Sequence, residues 1–191
     1  MIIKATMGEQ EKEIWQFAVE LYGMPRVAEC CIFLQDQCAV DVVHLIFLLF
    51  MLDANGFRAD RQFVRRSRHV CDEWRSKVII PLRQVRRDLK PMESGDIEGA
   101  REFRHEIKSL ELQAERLQLN YLLRWRMDES CKTLTQRATP AREAGRLIRE
   151  VAFGAQENAV FDGDIEKADD AIETIAAALT LMPDREIKPE L

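Results

Sequence analysis

The sequence predicts an all-α fold, a compact bundle of six to eight helices with one long amphipathic helix and a C-terminal helical hairpin. Three observations predict it. Apolar residues recur by threes and fours along nearly the whole chain, which is the period of a helix face, and no stretch alternates by twos as a half-buried strand would. The run from Val42 to Leu52 is apolar except for His44, which suits a helix buried on most sides at the centre of a core. The glycines are scattered as turn markers, and Pro25, Pro81, Pro91 and Pro140 stand where helices would start, kink or stop.

Each element follows from local chemistry. Ile14, Phe17, Ala18 and Leu21 mark a first helix closed by Tyr22-Gly23. Pro25 can open a second, at a first-turn position where its missing N–H costs nothing, and that helix carries Val27, Ala28, Cys31, Ile32 and Leu34 to about Gln37. Asp41 is an N-cap for the apolar third helix, and Asn55-Gly56 is a turn signal. Asp60 caps a fourth, basic helix with Phe63, Val64, Val70, Trp74 and Val78. Pro81 either kinks it or starts a fifth helix through Lys90, which Pro91 stops. From Asp96 to about Met127, Ala100, Phe103, Ile107, Leu110, Ala114, Leu117 and Tyr121 form a coiled-coil-like seam, expected to face inward. A polar stretch, Lys132 to Thr139, precedes a Thr139-Pro140 helix start with a stripe of Ala144, Leu147, Ile148, Val151 and Ala155. Asp162-Gly163-Asp164 turns the chain into a last stripe of Ile165, Ala168, Ile172, Ile175 and Leu179. The expected organisation is a helical core domain over 1–130 and a hairpin over 131–191 that docks on the outside of the same domain or mediates self-association.

Composition narrows the function classes. The chain has 191 residues, 47% hydrophobic and 32% charged, with a net charge of −5, an ordinary soluble composition rather than a disordered one. Five cysteines without a CxxC pair favour reduced, mostly buried thiols over a disulfide framework. The start lacks the apolar core of a secretory signal, and the longest apolar run is shorter than the roughly 20 residues of a membrane span, so a cytoplasmic location is expected.

Charge is segregated along the chain. The segment from Arg58 to Lys90 holds eleven of the 28 basic residues and four of the 33 acidic ones, between two acidic flanks. Arg83, Arg86, Arg87 and Lys90 share one face of a helix, with Leu82, Val85 and Leu89 on the other. Guanidinium forks bind phosphate and carboxylate groups, so this face suits an acidic partner surface, RNA or DNA. It equally suits internal pairing with Glu102, Glu106, Glu111 and Glu115 of the long helix, and sequence leaves the two open. The segment's aromatic residues fall at apolar helical positions rather than forming a stacking platform for bases.

The series Trp15-x-Phe17, Tyr22-x-x-Pro25-x-Val27, Cys31, Leu34-Gln35-Asp36, Asp41-Val42, Pro81-Leu82-Arg83-x-x-Arg86-Arg87-x-Leu89-Lys90 and Lys108-x-x-Glu111-Leu112-x-Ala114-Glu115 resembles a family of small proteobacterial proteins catalogued only as a domain of unknown function. The resemblance covers roughly residues 14–119 and implies a compact helical protein. It supplies no catalytic residues.

Catalytic and metal-binding patterns are weak. Glu102-x-x-His105 has the spacing used by di-iron bundles and Asp41-x-x-His44 comes near it, but an inward Phe103 and Ile107 would turn Glu102 and His105 outward. Cys30, Cys31, Cys38, His69 and Cys71 lack the paired spacing of a zinc site, and no triad or glycine-rich phosphate loop occurs. No metal or cofactor is implied. Gln35, Asp36, Asp41 and His44 are polar groups in the most apolar region; they read as helix caps and a satisfied core histidine, or as the lining of a small-ligand pocket. The expected function is a non-enzymatic interaction or adaptor protein that engages an acidic partner through Arg83, Arg86, Arg87 and Lys90. Nucleic-acid binding by that face is the second expectation, and a ligand pocket or enzyme site near Asp36, Asp41 and His44 the third. Self-association through the long helix has the same sequence pattern as internal closure of its seam.

Overall fold

A computed structural model of the protein describes residues 6–55, 57, 59–94, 97–128, 140–154 and 164–183. Arg58, the Gly56 half of the turn, Asp96, Cys131, the 132–139 stretch with its Thr139 cap, Ala155 and the Asp162-Gly163 turn lie outside these residues. Among the described residues the fold is all-α, with no strand: α1 (Met7–Gly23), α2 (Val27–Gln37), α3 (Val42–Asn55), α4 (Arg61–Trp74), α5 (Ile80–Leu89), α6 (Ala100–Asp128), α7 (Pro140–Phe153) and α8 (Ile165–Leu181).

Short polar side chains set the helix starts. Thr6 and Glu9 form a capping box, each satisfying the other's backbone N–H at the start of α1. Asp60 accepts the Phe63 N–H at 2.7 Å to begin α4, and Asp164 accepts the Lys167 N–H at 3.0 Å to begin α8. Asp41 accepts the N–H groups of Val43 and His44, at 3.1 and 3.2 Å, and so caps α3.

α3 is the centre of the molecule. Every residue from Val42 to Leu52 is buried, and the helix packs against α1, α2, α4, α6 and α7. Each fully buried Leu, Ile or Phe here contributes about 1.5–3 kcal/mol relative to exposure. Phe63 of α4 meets Phe57 edge-on at 4.7 Å, lies 5.3 Å from Trp125 of α6 and stacks on Phe47 at 6.5 Å, tying three helices together. α7 and α8 belong to the same core rather than to its outside. Ala144, Leu147, Ile148, Ala168, Ile172 and Ile175 are wholly buried, and α8 packs on both α2 and α7.

From Arg61 to Ser94 the chain is one unbroken helical rod. α4 passes through a π-helical turn (Arg75–Ile79) into α5, and a 3-10 turn (Lys90–Ser94) carries it past Pro91. The π turn answers Pro81. A proline ring collides with the carbonyl four residues back, here that of Lys77, and offers no N–H to it. One wider turn at that point relieves the collision and keeps the helix continuous.

α6 has a different orientation from the one its apolar period predicts. Ala100, Ile107 and Ala114 are buried, but Phe103 (51% exposed), Leu110 (48%), Leu117 (56%) and Tyr121 (54%) face solvent. The positions turned inward instead carry Glu111, Gln118 and Arg126 along with Leu119, Leu122 and Leu123. The reason lies on α5. Its arginines supply countercharge to the inward carboxylates, so the helix seats by its charges over its first half and by its leucines over its second.

Candidate functional site

The outer edge of the bundle is a two-helix arm made of α5 and the N-terminal half of α6. α5 buries none of its own residues and packs on α6. Trp74, at the end of α4, donates its indole N–H to the Ala114 carbonyl at 3.0 Å and anchors the base of the arm.

The inner side of this arm is an ion-pair lattice. Arg83 donates from Nε to Glu111 at 2.8 Å and from a terminal nitrogen to Glu115 at 2.7 Å, while Arg86 donates from Nε to the other Glu111 oxygen at 2.5 Å. Arg104 on α6 reaches back to the Arg86 carbonyl at 3.1 Å and to Glu93 at 2.9 Å. Burial disfavours a charged Glu111, yet the hydrogen bonds from Arg86 and Arg83 outweigh it and hold the carboxyl below its ordinary range. For Glu115 burial wins, and its carboxyl lies above the ordinary range despite Arg83. Arg87 pairs at 2.5 Å with Asp36 on α2, and Lys90 is exposed.

The four basic residues singled out by the sequence therefore do not form one outward face. The Arg83 side chain keeps 14% of its exposure and Arg86 23%, both against α6, whereas Arg87 and Lys90 look out. Conversely Val85, on the apolar face that the sequence sets against the basic one, is 43% exposed. The ridge of Phe103, Leu110, Leu117 and Tyr121 runs along the exposed flank of α6, about 40° round the helix from the buried Ile107 and Ala114. Seven-residue steps from Phe103 to Leu117, and four more to Tyr121, keep it on one side of α6.

The second polar group, Gln35, Asp36, Asp41 and His44, is not brought together. Gln35 and Asp36 bond each other at 3.2 Å on the surface beside Arg87. Asp36 is held below the usual carboxylate range, where the hydrogen bonds from Arg87 and Gln35 overcome the effect of burial. Asp41 and His44 sit inside the core. Asp41 Oδ2 accepts from Gln118 Nε2 at 2.8 Å and lies 3.5 Å from Arg75 Nε, so one carboxylate joins α3, α6 and the π turn. His44 Nε2 lies 2.7 Å from Ser67 Oγ, and Ser67 in turn donates to the Phe63 carbonyl at 2.8 Å. A hydroxyl with its hydrogen committed to a carbonyl can only accept from the ring, so His44 is the neutral Nε2–H tautomer and acts as donor. Catalysis by a Ser–His pair needs the reverse, with the hydroxyl proton passing to the ring. Burial pushes the His44 pKa down to about 4, and it pushes the Cys31 and Cys71 thiols up to about 12, far from a thiolate nucleophile at neutral pH.

A depression of about 600 Å³ lies along the α4 end and π turn, lined by His69, Val70, Asp72, Glu73, Arg75 and Ser76. All six come from one helical stretch, so no second element closes over it. Among the described residues no cluster of three or more His, Cys, Asp or Glu is arranged to hold a metal ion, and no helix is long and apolar enough to cross a membrane.

Sequence reasoning did not single out Ser67, Arg75, Gln118 or Arg104. Their side-chain partners lie 11 to 77 residues away in sequence, and no local pattern marks them. The exposed ridge was visible as a period but assigned to the wrong side.

No curated protein and no solved structure matches the chain. One family model does match, over residues 13–122, which spans α1 to α5 and most of α6 and so takes in the core helix, the ion-pair lattice and the ridge. The chain belongs to the family described as "Protein of unknown function (DUF2390)".

Proposed function

We propose that the protein is a non-enzymatic interaction module that docks an apolar helix face on the ridge of α6. The observation that carries this reading is the half exposure of Phe103, Leu110, Leu117 and Tyr121 in one line. Four large apolar side chains along about 27 Å of one helix leave on the order of 400 Å² of apolar surface in water, the size of the largest apolar patch on a typical monomer, which is often functional. The buried polar groups support no competing chemistry, since His44 is locked as a donor and the thiols are far from ionised.

An acidic partner or nucleic acid held by the basic block draws on less. Arg83 and Arg86 already hold carboxylates, and of the four arm residues Arg87 and Lys90 remain turned outward. The two readings separate in one pull-down from native lysate, run at low and high salt and with and without nuclease, with the Leu110→Glu/Leu117→Glu and the Arg87→Glu/Lys90→Glu variants alongside. The ridge reading expects the leucine variant to lose the retained protein at either salt, and the arginine–lysine variant to keep it. Material lost on nuclease treatment, or on the Arg87→Glu/Lys90→Glu change alone, would transfer the function to the basic side.

A further inference from the structure

We infer that the occupant of the ridge is a second copy of the chain, laid antiparallel along α6 about a two-fold axis at Gln113. This rests on the reading of the ridge as a docking face and deepens it. The argument is the distribution of charge beside the apolar line. Glu102 and Glu106 flank its N-terminal end, the exposed Gln113 stands at its middle, and Arg124 flanks its C-terminal end. Arg124 pairs with Glu11 but keeps 63% of its side-chain exposure, so it can share its charge with a second carboxylate. Glu102 and Arg124 are each eleven residues from Gln113, on opposite sides of it.

A two-fold axis through Gln113 therefore brings each Glu102 to the Arg124 of the other copy and sets the neutral amides against each other. The same operation places Phe103 within a turn of the second copy's Tyr121, and Leu110 within a turn of its Leu117. A parallel pair would instead leave Glu102 and Arg124 at opposite ends of the contact, out of reach of each other. A helix whose flank reverses sign about its own centre is complementary to itself, which is the property an isologous interface requires and a contact with an unrelated partner does not. The two ridges together offer on the order of 800 Å², about half of a standard interface, so the pair is a weak, concentration-dependent dimer.

Sedimentation velocity over a concentration series tests this directly. The wild-type chain is expected to move from monomer to dimer, and the Leu110→Glu/Leu117→Glu variant to remain monomeric, its dimer weakened by at least about 100-fold with the helical circular dichroism signal unchanged. Cysteine pairing under oxidation tests the direction, with the wild-type chain as the control for its own thiols. Gln113→Cys is expected to cross-link the two copies, and Glu102→Cys is not. A wild-type chain that stays monomeric throughout, or a Glu102→Cys chain that cross-links as readily as Gln113→Cys, would overturn the inference. A monomeric wild type whose lysate partner is nonetheless lost on the leucine change would leave the docking ridge standing and remove self-association alone. If neither dimer nor partner depends on those leucines, both fall.

Discussion

Replacing Glu111 by Gln removes the charge on which Arg83 and Arg86 converge while keeping the size of the side chain. The Glu111 side chain retains 7% of its exposure, so its carboxylate and the two guanidiniums are largely withdrawn from water. Removing one partner of a buried pair typically costs about 3–5 kcal/mol, because it strands the charge left behind. Two features reduce that here. Arg83 still holds Glu115, and both arginines keep some contact with solvent. The expected loss is about 2–3 kcal/mol in the free energy of unfolding, read from urea titrations as a lower midpoint at unchanged slope, or roughly 5–10 °C in Tm. The apolar replacement Glu111→Leu/Arg83→Met/Arg86→Met removes these three charges and strands the partly exposed Glu115, so it is expected to be more stable than Glu111→Gln and to lie within about 1–2 kcal/mol of wild type. A Glu111→Gln protein within about 0.5 kcal/mol of wild type would refute the reasoning. It would mean that the arginines are hydrated and free, and the basic block would return as a binding face.

Two further outcomes follow from the core. His44 takes up its proton near pH 6.5 when unfolded but near pH 4 when folded, so stability is full above pH 6.5 and falls as the pH is lowered toward 4, by about 3 kcal/mol from this group. The lowered carboxyl of Glu111 extends the loss to lower pH, whereas the raised Glu115 opposes it. A His44→Gln variant should flatten the stretch between pH 6.5 and 4 in urea titrations repeated across that range, and an unchanged slope there would contradict the buried neutral ring. Asp41→Ala removes the α3 cap and leaves the Gln118 amide without its acceptor. The combined loss is expected at about 2–3 kcal/mol by thermal melt, and a change near zero would show that the amide finds water instead.

The parts of the fold legible in the sequence are those in which local chemistry decides. Asp60 starts α4 because a short carboxylate reaches an N–H three residues on, and Val42–Leu52 lies at the centre because no face of it suits water. Pro81 was ambiguous because the missing N–H is the same fact whether a helix starts there or a π turn absorbs it. The orientation of α6 was not legible at all. A period reports which residues share a side, and what covers that side is decided by other helices. Ala100, Ile107 and Ala114 obeyed the expectation while Phe103, Leu110 and Leu117, on the same line, did not. The decisive groups, Arg83 and Arg86, are 25 to 32 residues from their carboxylates, so the pairing that turned the helix is a tertiary fact.

That pairing also explains why the ridge stays in water. Burying on the order of 400 Å² of apolar surface would gain about 10 kcal/mol, and rotating the N-terminal half of α6 by a quarter turn would achieve much of it. The rotation would carry Glu111 away from Arg83 and Arg86, leaving three charges desolvated and unpaired, at a cost of several kcal/mol for each ion. It would also pull the Ala114 carbonyl from the Trp74 indole and Gln118 from Asp41. The polar contacts thus act less as a source of stability than as a lock on rotation, and the apolar ridge is the face the lock leaves outward. The Glu111→Leu/Arg83→Met/Arg86→Met protein separates the two roles. It should keep most of its stability, yet with the lock removed α6 is free to turn its ridge inward, and the concentration-dependent dimerisation expected in sedimentation should weaken with no ridge residue changed. A triple variant that dimerises as the wild type does would show that leucine packing at Leu119, Leu122 and Leu123 alone fixes the helix, and that the ion pairs play no part in presenting the ridge.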